Sequence, residues 1–323
     1  MKQDKLKICV IGVGHLGQYH VQKYKSHPQV ELLGVVDTNY DRAQEIGNQY
    51  GVKAYRTYKK LLSMVDAVSL AVPTQSHFEV AKDILSEGKH LLVEKPITYQ
   101  LSPADTLIKM AEDKGLILQV GLVERFNPAV VKMESMLTRP LFIESHRMNP
   151  FTIRGTDVDV VLDLMIHDLD IILHVARSEV KDLHAVGMSV VTGKTDVANA
   201  RIVFENGIVA NLTASRVADR VTRKIRVFQP DAYLLADCHK REFYMTRKDD
   251  SIKDSPDKLI LQSVKEAFPN SDPLADQISY FVNSVMNGCK PVTTERDELK
   301  ALKAALAIID LIKKGCGDFH PQD

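Results

Sequence analysis

The chain has no excess of charge of either sign: 42 Lys and Arg stand against 42 Asp and Glu in 323 residues. A general binder of nucleic acid or of a membrane surface needs a positive field, so this balance argues against both and leaves room only for a local basic patch for one anionic ligand. Cysteine is scarce. Cys9, Cys238, Cys289 and Cys316 show no C-x-x-C or other ligand spacing, which speaks against a zinc site or a disulfide framework and for a reducing compartment. No uninterrupted apolar run approaches the roughly 20 residues of a membrane span. The start, MKQDKLKICVIG, is charged and then briefly apolar; it lacks the long apolar core and small-residue cleavage site of a signal peptide. The expectation is a cytoplasmic protein with neither nucleic acid nor membrane as partner.

What is present fits a soluble globular chain, 45% hydrophobic and 26% charged, of a length that suits two domains. Residues 1–123 alternate apolar runs with amphipathic stretches. Lys7–Ile11, Glu31–Val36, Ala67–Val72, His90–Glu94 and Leu116–Val120 read as buried strands; His15–Ser26, Asp41–Tyr50, Ser76–Glu87 and Ser102–Lys114 read as helices. Asn39 or Asp41 is the cap expected for the second helix, and Ser102 before Pro103 for the fourth. Such alternation predicts βαβ crossovers and a mainly parallel sheet.

After Gly121 the pattern changes. Helices are predicted at Pro128–Leu137 and Val160–Ala176, with a strand at Leu141–Met148 between them. Extended runs follow at Leu183–Val191, Ala198–Glu205, Ile208–Ser215, Lys224–Phe228 and Tyr233–Cys238, with a hairpin corner at Glu205-Asn206-Gly207. Strands without intervening helices predict an α+β domain with a mainly antiparallel sheet. Arg247–Ser263 reads as an exposed loop, and two helices, Leu274–Asn287 and Glu295–Lys314, close the chain. The expected partition is 1–123, then 124–290, then a final helical segment 291–323 packing back on the first domain.

Gly12-Val13-Gly14-His15-Leu16-Gly17 is G-x-G-x-x-G between a strand and a helix. The first Gly allows the tight turn, the second lets backbone approach a pyrophosphate, and the third lets helix and strand pack closely. The pyrophosphate belongs at the helix N-terminus, where N–H groups and the dipole favour an anion. Asp37 ends the next strand, about 20 residues on, where an acid binds the ribose 2′-hydroxyl. A carboxylate there repels a 2′-phosphate, so NAD is favoured over NADP, with nearby Arg42 softening the preference.

Two further features carry chemistry. Lys95, after the strand at His90–Glu94 and before Pro96, lies at the sheet edge where α/β folds bind ligands, and a Lys there can stabilise a developing alkoxide. Taken alone it is as readily a surface Lys. On the helix VVLDLMIHDLDIILHVA, the residues Asp163, His167, Asp170 and His174 form one polar stripe. The stripe faces a cavity, a partner or water, or its groups are satisfied in the interior. Asp163 and His167, one turn apart, suit a general base with its orienting carboxylate. They are also competent metal ligands, but no third ligand stands out, so no metal is expected.

GVGHLG (Gly12–Gly17), AVPTQSH (Ala71–His77), EKP (Glu94–Pro96) and the D-x-x-x-H of Asp163–His167, in this order and across both domains, resemble the Gfo/Idh/MocA family of sugar and cyclitol oxidoreductases. The resemblance implies an NAD-binding Rossmann domain, an α/β parallel-sheet unit, followed by an α+β domain whose large open sheet joins subunits into homodimers or homotetramers. It implies Lys95, Asp163 and His167 as the catalytic trio and a cis peptide at Lys95–Pro96. The cofactor-binding set it implies is Gly12, Gly14, His15, Leu16, Gly17, Asp37, Pro73, Thr74, His77, Glu94 and Lys95.

Many family members carry a Gly-Gly pair before the D-x-x-x-H aspartate, where this chain reads Arg154-Gly155-Thr156-Asp157. That segment, GLVERFNPA (Gly121–Ala129) and ASRVADRVTRKIRVFQPDAY (Ala214–Tyr233) look like the branch that oxidises the 3-hydroxyl of UDP-N-acetylglucosamine with NAD. In that branch the 3-keto product goes to an aminotransferase in lipid A synthesis. Arg125 and Arg154, with Arg147, Arg216 and Arg223 as further candidates, then suit the substrate diphosphate beside Asp163 and His167. Another sugar, inositol or a UDP-uronic acid is the alternative substrate, and a non-catalytic NAD-binding regulator the alternative class.

Overall fold

The computed structural model describes residues 5–153, 156, 158–248, 261–289 and 295–315. The chain divides into two compact units, residues 1–123 with 272–299, and residues 124–271 with 300–323. The division departs from the expected one at the C-terminus. The helix before the last joins the first unit, because Ile278, Phe281 and Val282 enter that unit's apolar cluster with Ile8, Val21 and Tyr24. The last helix belongs from residue 300 onward to the second unit, where Ile312 sits against Gly187.

In the first unit β1 (Leu6–Ile11), β2 (Val30–Val36), β3 (Ala54–Tyr55), β4 (Ala67–Leu70), β5 (His90–Val93) and β6 (Leu118–Val120) pair in parallel in the order β3-β2-β1-β4-β5-β6. Their apolar runs are buried on both faces, as helix-covered parallel strands require. The connecting helices are α1 (Gly17–Ser26), α2 (Tyr40–Tyr50), α3 (Lys59–Leu62), α4 (His77–Ser86) and α5 (Leu101–Asp113). The side chain of Asn39, not Asp41, caps α2 by accepting from the Arg42 N–H, and Gly51 ends it in the left-handed conformation. Gln100 stands at the N-cap position of α5 without a side-chain capping bond, so the cap expected at Ser102 lies inside the first turn. The strand order reverses between β1 and β4, and the crevice beyond their carboxyl ends is where such sheets bind ligands.

In the second unit α6 (Pro128–Ser135) precedes β7 (Phe142–Met148) and α7 (Ile166–Ala176). Seven strands follow: β8 (Val180–Met188), β9 (Val197–Phe204), β10 (Val209–Ser215), β11 (Thr222–Gln229), β12 (Ala232–Asp237), β13 (Glu242–Lys248) and β14 (Leu261–Ala267). The sheet runs β14-β13-β12-β11-β7-β10-β9-β8 and is antiparallel except between β7 and β10. Two strands replace parts of the expected loop at Arg247–Ser263: Arg247 and Lys248 end β13, and Leu261 opens β14; residues 249–260 lie outside the described ones. The helices α8 (Pro273–Asn287) and α9 (Glu295–Gly315) close the chain.

Side chains alternate across this sheet. Ile143, Ser145 and Arg147 of β7 are buried, and α7 packs against β7 and β10. The other face is half-exposed and carries the aromatic row Phe142, Phe228 and Tyr233, with ring centres 5.4 and 5.2 Å apart. Burying Arg147 is costly, and the geometry compensates. Its Nε and Nη2 donate to Asp168 at 2.8 and 2.6 Å, and its Nη1 donates to Glu124 at 2.7 Å. Replacing Arg147 by Met strands two buried carboxylates, so the variant is expected to lose about 3–5 kcal/mol of stability. A Lys there is expected to recover only part, since one ammonium cannot reproduce a planar fork on two acids. Urea denaturation followed by circular dichroism measures both, and an unchanged midpoint for Arg147→Met would refute the account.

Candidate active site

The glycine turn leaves the end of β1. Gly12 has φ +85°, and a Cβ on it would lie 2.6 Å from the Ala71 carbonyl; a Cβ on Gly17 would meet the Gly12 carbonyl oxygen at 1.8 Å. Both positions therefore demand glycine. Gly14 differs: a Cβ there meets nothing within 4 Å, and Gly14, His15 and Leu16 are exposed. No side chain caps the N-terminus of α1, so its first N–H groups face the open side of the turn. This is a cradle that a diphosphate fits.

Asp37 braces the same turn, accepting from the Val13 N–H and the Asn39 N–H, each at 2.9 Å. A carboxylate has about four acceptor positions, so capacity for a ribose hydroxyl remains. Arg42 is not a spare cation. Its Nε donates to the Val13 carbonyl at 3.1 Å, its Nη2 to Gln18 at 2.9 Å, and its Nη1 pairs with Glu45 at 2.8 Å.

The edge after β5 carries Glu94, Lys95 and a cis Lys95–Pro96 peptide. Lys95 is half-buried. Glu94 turns its Oε1 inward to His20 Nε2 at 3.0 Å, and His20 Nδ1 meets Ser69 Oγ at 2.7 Å. Burial opposes the charge on Glu94, yet His20, and then Lys95 and His77, hold its carboxyl below the usual range. Pro73 is exposed and Thr74 half-buried, as a loop beside a ligand requires. His77 departs from its expected place on the cofactor. The ring is 1% exposed, and its Nδ1 and Nε2 lie 2.9 Å from the Pro96 and Val72 carbonyls. It ties two loops together and is too deep to touch a ligand.

In the second unit the helix bearing Asp163 and His167 opens as a wide π turn over Val161–Met165 before continuing as α7, a feature often found at functional sites. The Val160 N–H is held by the Thr195 carbonyl at 2.9 Å, and Asp159 accepts from the Thr195 N–H at 3.0 Å. Beside them, buried Asp196 gathers the Thr192 hydroxyl and the N–H groups of Thr192, Val191 and Val190, which together hold its carboxyl far below the usual range against the effect of burial. The polar stripe expected on this helix divides. Asp163 and His167 are half-exposed, whereas Asp170 is buried.

The partner of Asp170 is Arg125, and this corrects the expectation that Arg125 meets a substrate diphosphate. Arg125 is buried, and its Nε and Nη2 reach the Asp170 carboxylate at 2.7 and 2.9 Å; a fork so committed has no face for a ligand. Arg147 is equally enclosed, Arg216 is buried with Nη2 on the Val158 carbonyl, and Arg154 lies outside the described residues. Arg223 is different. It is half-exposed on β11 in register with Arg147, and its Nε is buried with no hydrogen-bond partner. Sequence reasoning missed His20 and Ser69 altogether; the one available signal was a His a single turn past Gly17, on the inward side of α1. Among the described residues no group of three or more His, Cys, Asp or Glu could hold a metal ion, and no helix is long and apolar enough to cross a membrane.

Residues 6–122 match the oxidoreductase family with an NAD-binding Rossmann fold, and residues 130–232 match the C-terminal domain of Gfo/Idh/MocA proteins. The UDP-N-acetylglucosamine 3-dehydrogenase of Acidithiobacillus ferrooxidans is 42% identical over 72% of this chain and 74% of its own length. Its solved structure superposes with a TM-score of 0.89, 35% identity and coverage of 97% and 99% of the two chains. The NAD-dependent scyllo-inositol 2-dehydrogenase of Bacillus subtilis is 23% identical over 97% of this chain and 96% of its own. With the braced glycine turn, the Lys95–Pro96 edge and the half-exposed Asp163 and His167 in place, these matches establish that the chain belongs to the Gfo/Idh/MocA family of oxidoreductases.

Proposed function

We propose that the chain oxidises the 3-hydroxyl of UDP-N-acetylglucosamine to the 3-ketone, with NAD as acceptor, in the cytoplasm. The observation that carries this reading is its 42% identity to a relative named for that activity. In the proposed reaction Lys95, Asp163 and His167 handle the proton. Bound NAD supplies the hydride acceptor, held over Gly12–Gly17 with Asp37 on its adenosine ribose. His167 takes the hydroxyl proton, Lys95 donates to the same oxygen as charge develops on it, and Asp163 orients the imidazole or the sugar. Arg223, in place of Arg125, meets the substrate diphosphate; it is half-exposed where Arg125, Arg147 and Arg216 are buried, and an Arg there gains a charge-assisted bond. NAD is preferred to NADP because Asp37 repels a 2′-phosphate and Arg42, tied to Val13, Gln18 and Glu45, is not placed to offset it. The open sheet face joins subunits in a homodimer or homotetramer. An aminotransferase draws off the ketone toward the amino sugar of lipid A.

Three variants test this. Gly14→Ala is expected to fold with an unchanged Tm, because the space is open, and to bind NAD at least 10-fold more weakly, because the methyl occupies the pyrophosphate's approach; equal affinity, measured by calorimetry, would remove the cradle from the account. Lys95→Met is expected to abolish NADH formation with UDP-N-acetylglucosamine while NAD binding stays within a few-fold, and unchanged kcat would take Lys95 out of the mechanism. Arg223→Gln is expected to raise KM for the sugar nucleotide by roughly 10- to 100-fold, the loss of one charge-assisted contact, with KM for NAD unaltered. Equal KM values in wild type and variant would place the diphosphate elsewhere.

A further inference from the structure

The strongest unassigned feature is the buried polar chain behind the Lys95 edge. His20 is 1% exposed, Ser69 on β4 is fully buried, and the side chain of Glu94 is only 12% exposed. Groups so enclosed are costly unless every donor meets an acceptor, and their geometry fixes the order of the bonds. An ionised carboxylate only accepts, so His20 Nε2 carries the hydrogen that meets Glu94 Oε1. In a neutral imidazole Nδ1 then accepts, so the Ser69 hydroxyl donates to it. The chain runs Ser69 to His20 to Glu94, with each distance at hydrogen-bond length. Gly121 packs against the same carboxylate, since a Cβ on it would lie 2.8 Å from Glu94 Oε1 and 2.9 Å from Oε2. Glu94 is therefore bonded to His20 and packed on Gly121, and its main-chain N–H is fixed to the Leu70 carbonyl at 2.9 Å.

We propose that His20 is a positioning residue for the reaction: through its bond to Glu94 it fixes the carboxylate directly before Lys95, and with it the orientation and charge of the Lys95 ammonium. This rests on the reading that Lys95 donates to the substrate oxygen. The groups whose charge bears on Glu94 are His20, Lys95 and His77. His77 is fixed to main-chain carbonyls, which leaves His20 as the group whose removal frees the carboxylate. Without it, Glu94 stays buried with less to hold its charge and takes up a proton more easily. A neutral Glu94 no longer favours the charged form of Lys95.

The test compares His20→Leu, which removes the donor, with His20→Gln, whose amide nitrogen can reach the place of Nε2. The substrate is UDP-N-acetylglucosamine or, if wild type does not oxidise it, myo-inositol. His20→Leu is expected to lower kcat by roughly 10- to 100-fold, the usual effect of losing a partner that orients a functional group. Its NAD dissociation constant is expected to stay within about 3-fold, and the alkaline limb of the kcat profile to move to lower pH; His20→Gln restores most of each. A readout independent of turnover is the titration of Lys95, followed by 13C NMR of the reductively methylated protein and assigned with Lys95→Met; its midpoint is expected to fall in His20→Leu and return in His20→Gln.

A folded His20→Leu with unchanged kcat, pH profile and Lys95 titration overturns the proposal, and so does a loss confined to NAD affinity or Tm. If His20→Leu does not fold, Glu94→Gln decides: the same kcat loss and shifted titration support the proposal, and their absence overturns it. Should Lys95→Met keep its kcat, the reading of the reaction fails and the proposal falls with it. An inactive Lys95→Met beside an unaffected His20→Leu removes His20 alone.

Discussion

A helix with acids on two of its sides must bury charge on one of them, and the second unit is organised by how it does so. Asp168 and Asp170 point into the core, where no ion survives without a partner. Each has an arginine: Arg147 rises from a β7 position where alternation calls for an aliphatic side chain, and Arg125 comes from the segment before α6. Glu124 takes the remaining arm of Arg147, and Asn127 links Glu124 to the Cys238 carbonyl. Well-packed apolar residues would hold the core at least as strongly. What ion pairs add is register. A fork that must meet its carboxylate fixes α7 against β7 in rotation and translation, and so sets which way Asp163 and His167 face.

The first unit uses the same device on a smaller scale. Glu94 is a carboxylate at the edge of a sheet whose strands are otherwise apolar, and it is tolerated because His20 meets it and Gly121 leaves room for it. Both units thus place buried polar pairs, contributed from distant parts of the sequence, beside the groups proposed to react. The paired groups are enclosed and Lys95, Asp163 and His167 half-exposed, which is the arrangement expected when one set provides orientation and the other chemistry.

Much of this was legible in the sequence where a single physical rule dominates. Gly12, Gly17 and the strand before them follow from steric demand, and the apolar runs of β1, β2, β4 and β5 from burial on both faces. That one helical segment carries Asp163 and His167 follows from the apolar run around them. What escaped was everything set by partners far away in sequence. Arg125 reads as a ligand for phosphate until Asp170 is seen beside it, and His77 as a cofactor contact until two carbonyls are found on its ring. Composition hid β13 and β14, because strands with many charges, one at the sheet's edge and one beside it, read like a loop. The π turn at Val161–Met165 leaves no mark in an apolar run. The C-terminal partition failed for a related reason: an Ala/Leu/Ile stripe shows that α9 packs on something, not on what.

The bracing of the glycine turn carries this one step further. Asp37 and Arg42 hold the turn through the Val13 N–H and carbonyl. A turn braced by its own side chains lowers the cost of ordering a loop on binding. It also makes Asp37 and Arg42 unequal to surface residues of the same type, since each holds the turn in shape. An exchange at Asp37 meant to admit a 2′-phosphate would release the Val13 and Asn39 N–H groups as well as the repulsion. On the role proposed for Asp37, cofactor preference and turn geometry are therefore coupled: the two N–H groups use different carboxylate oxygens, so a neutral amide at position 37 gives up the charge but keeps only one of the two bonds.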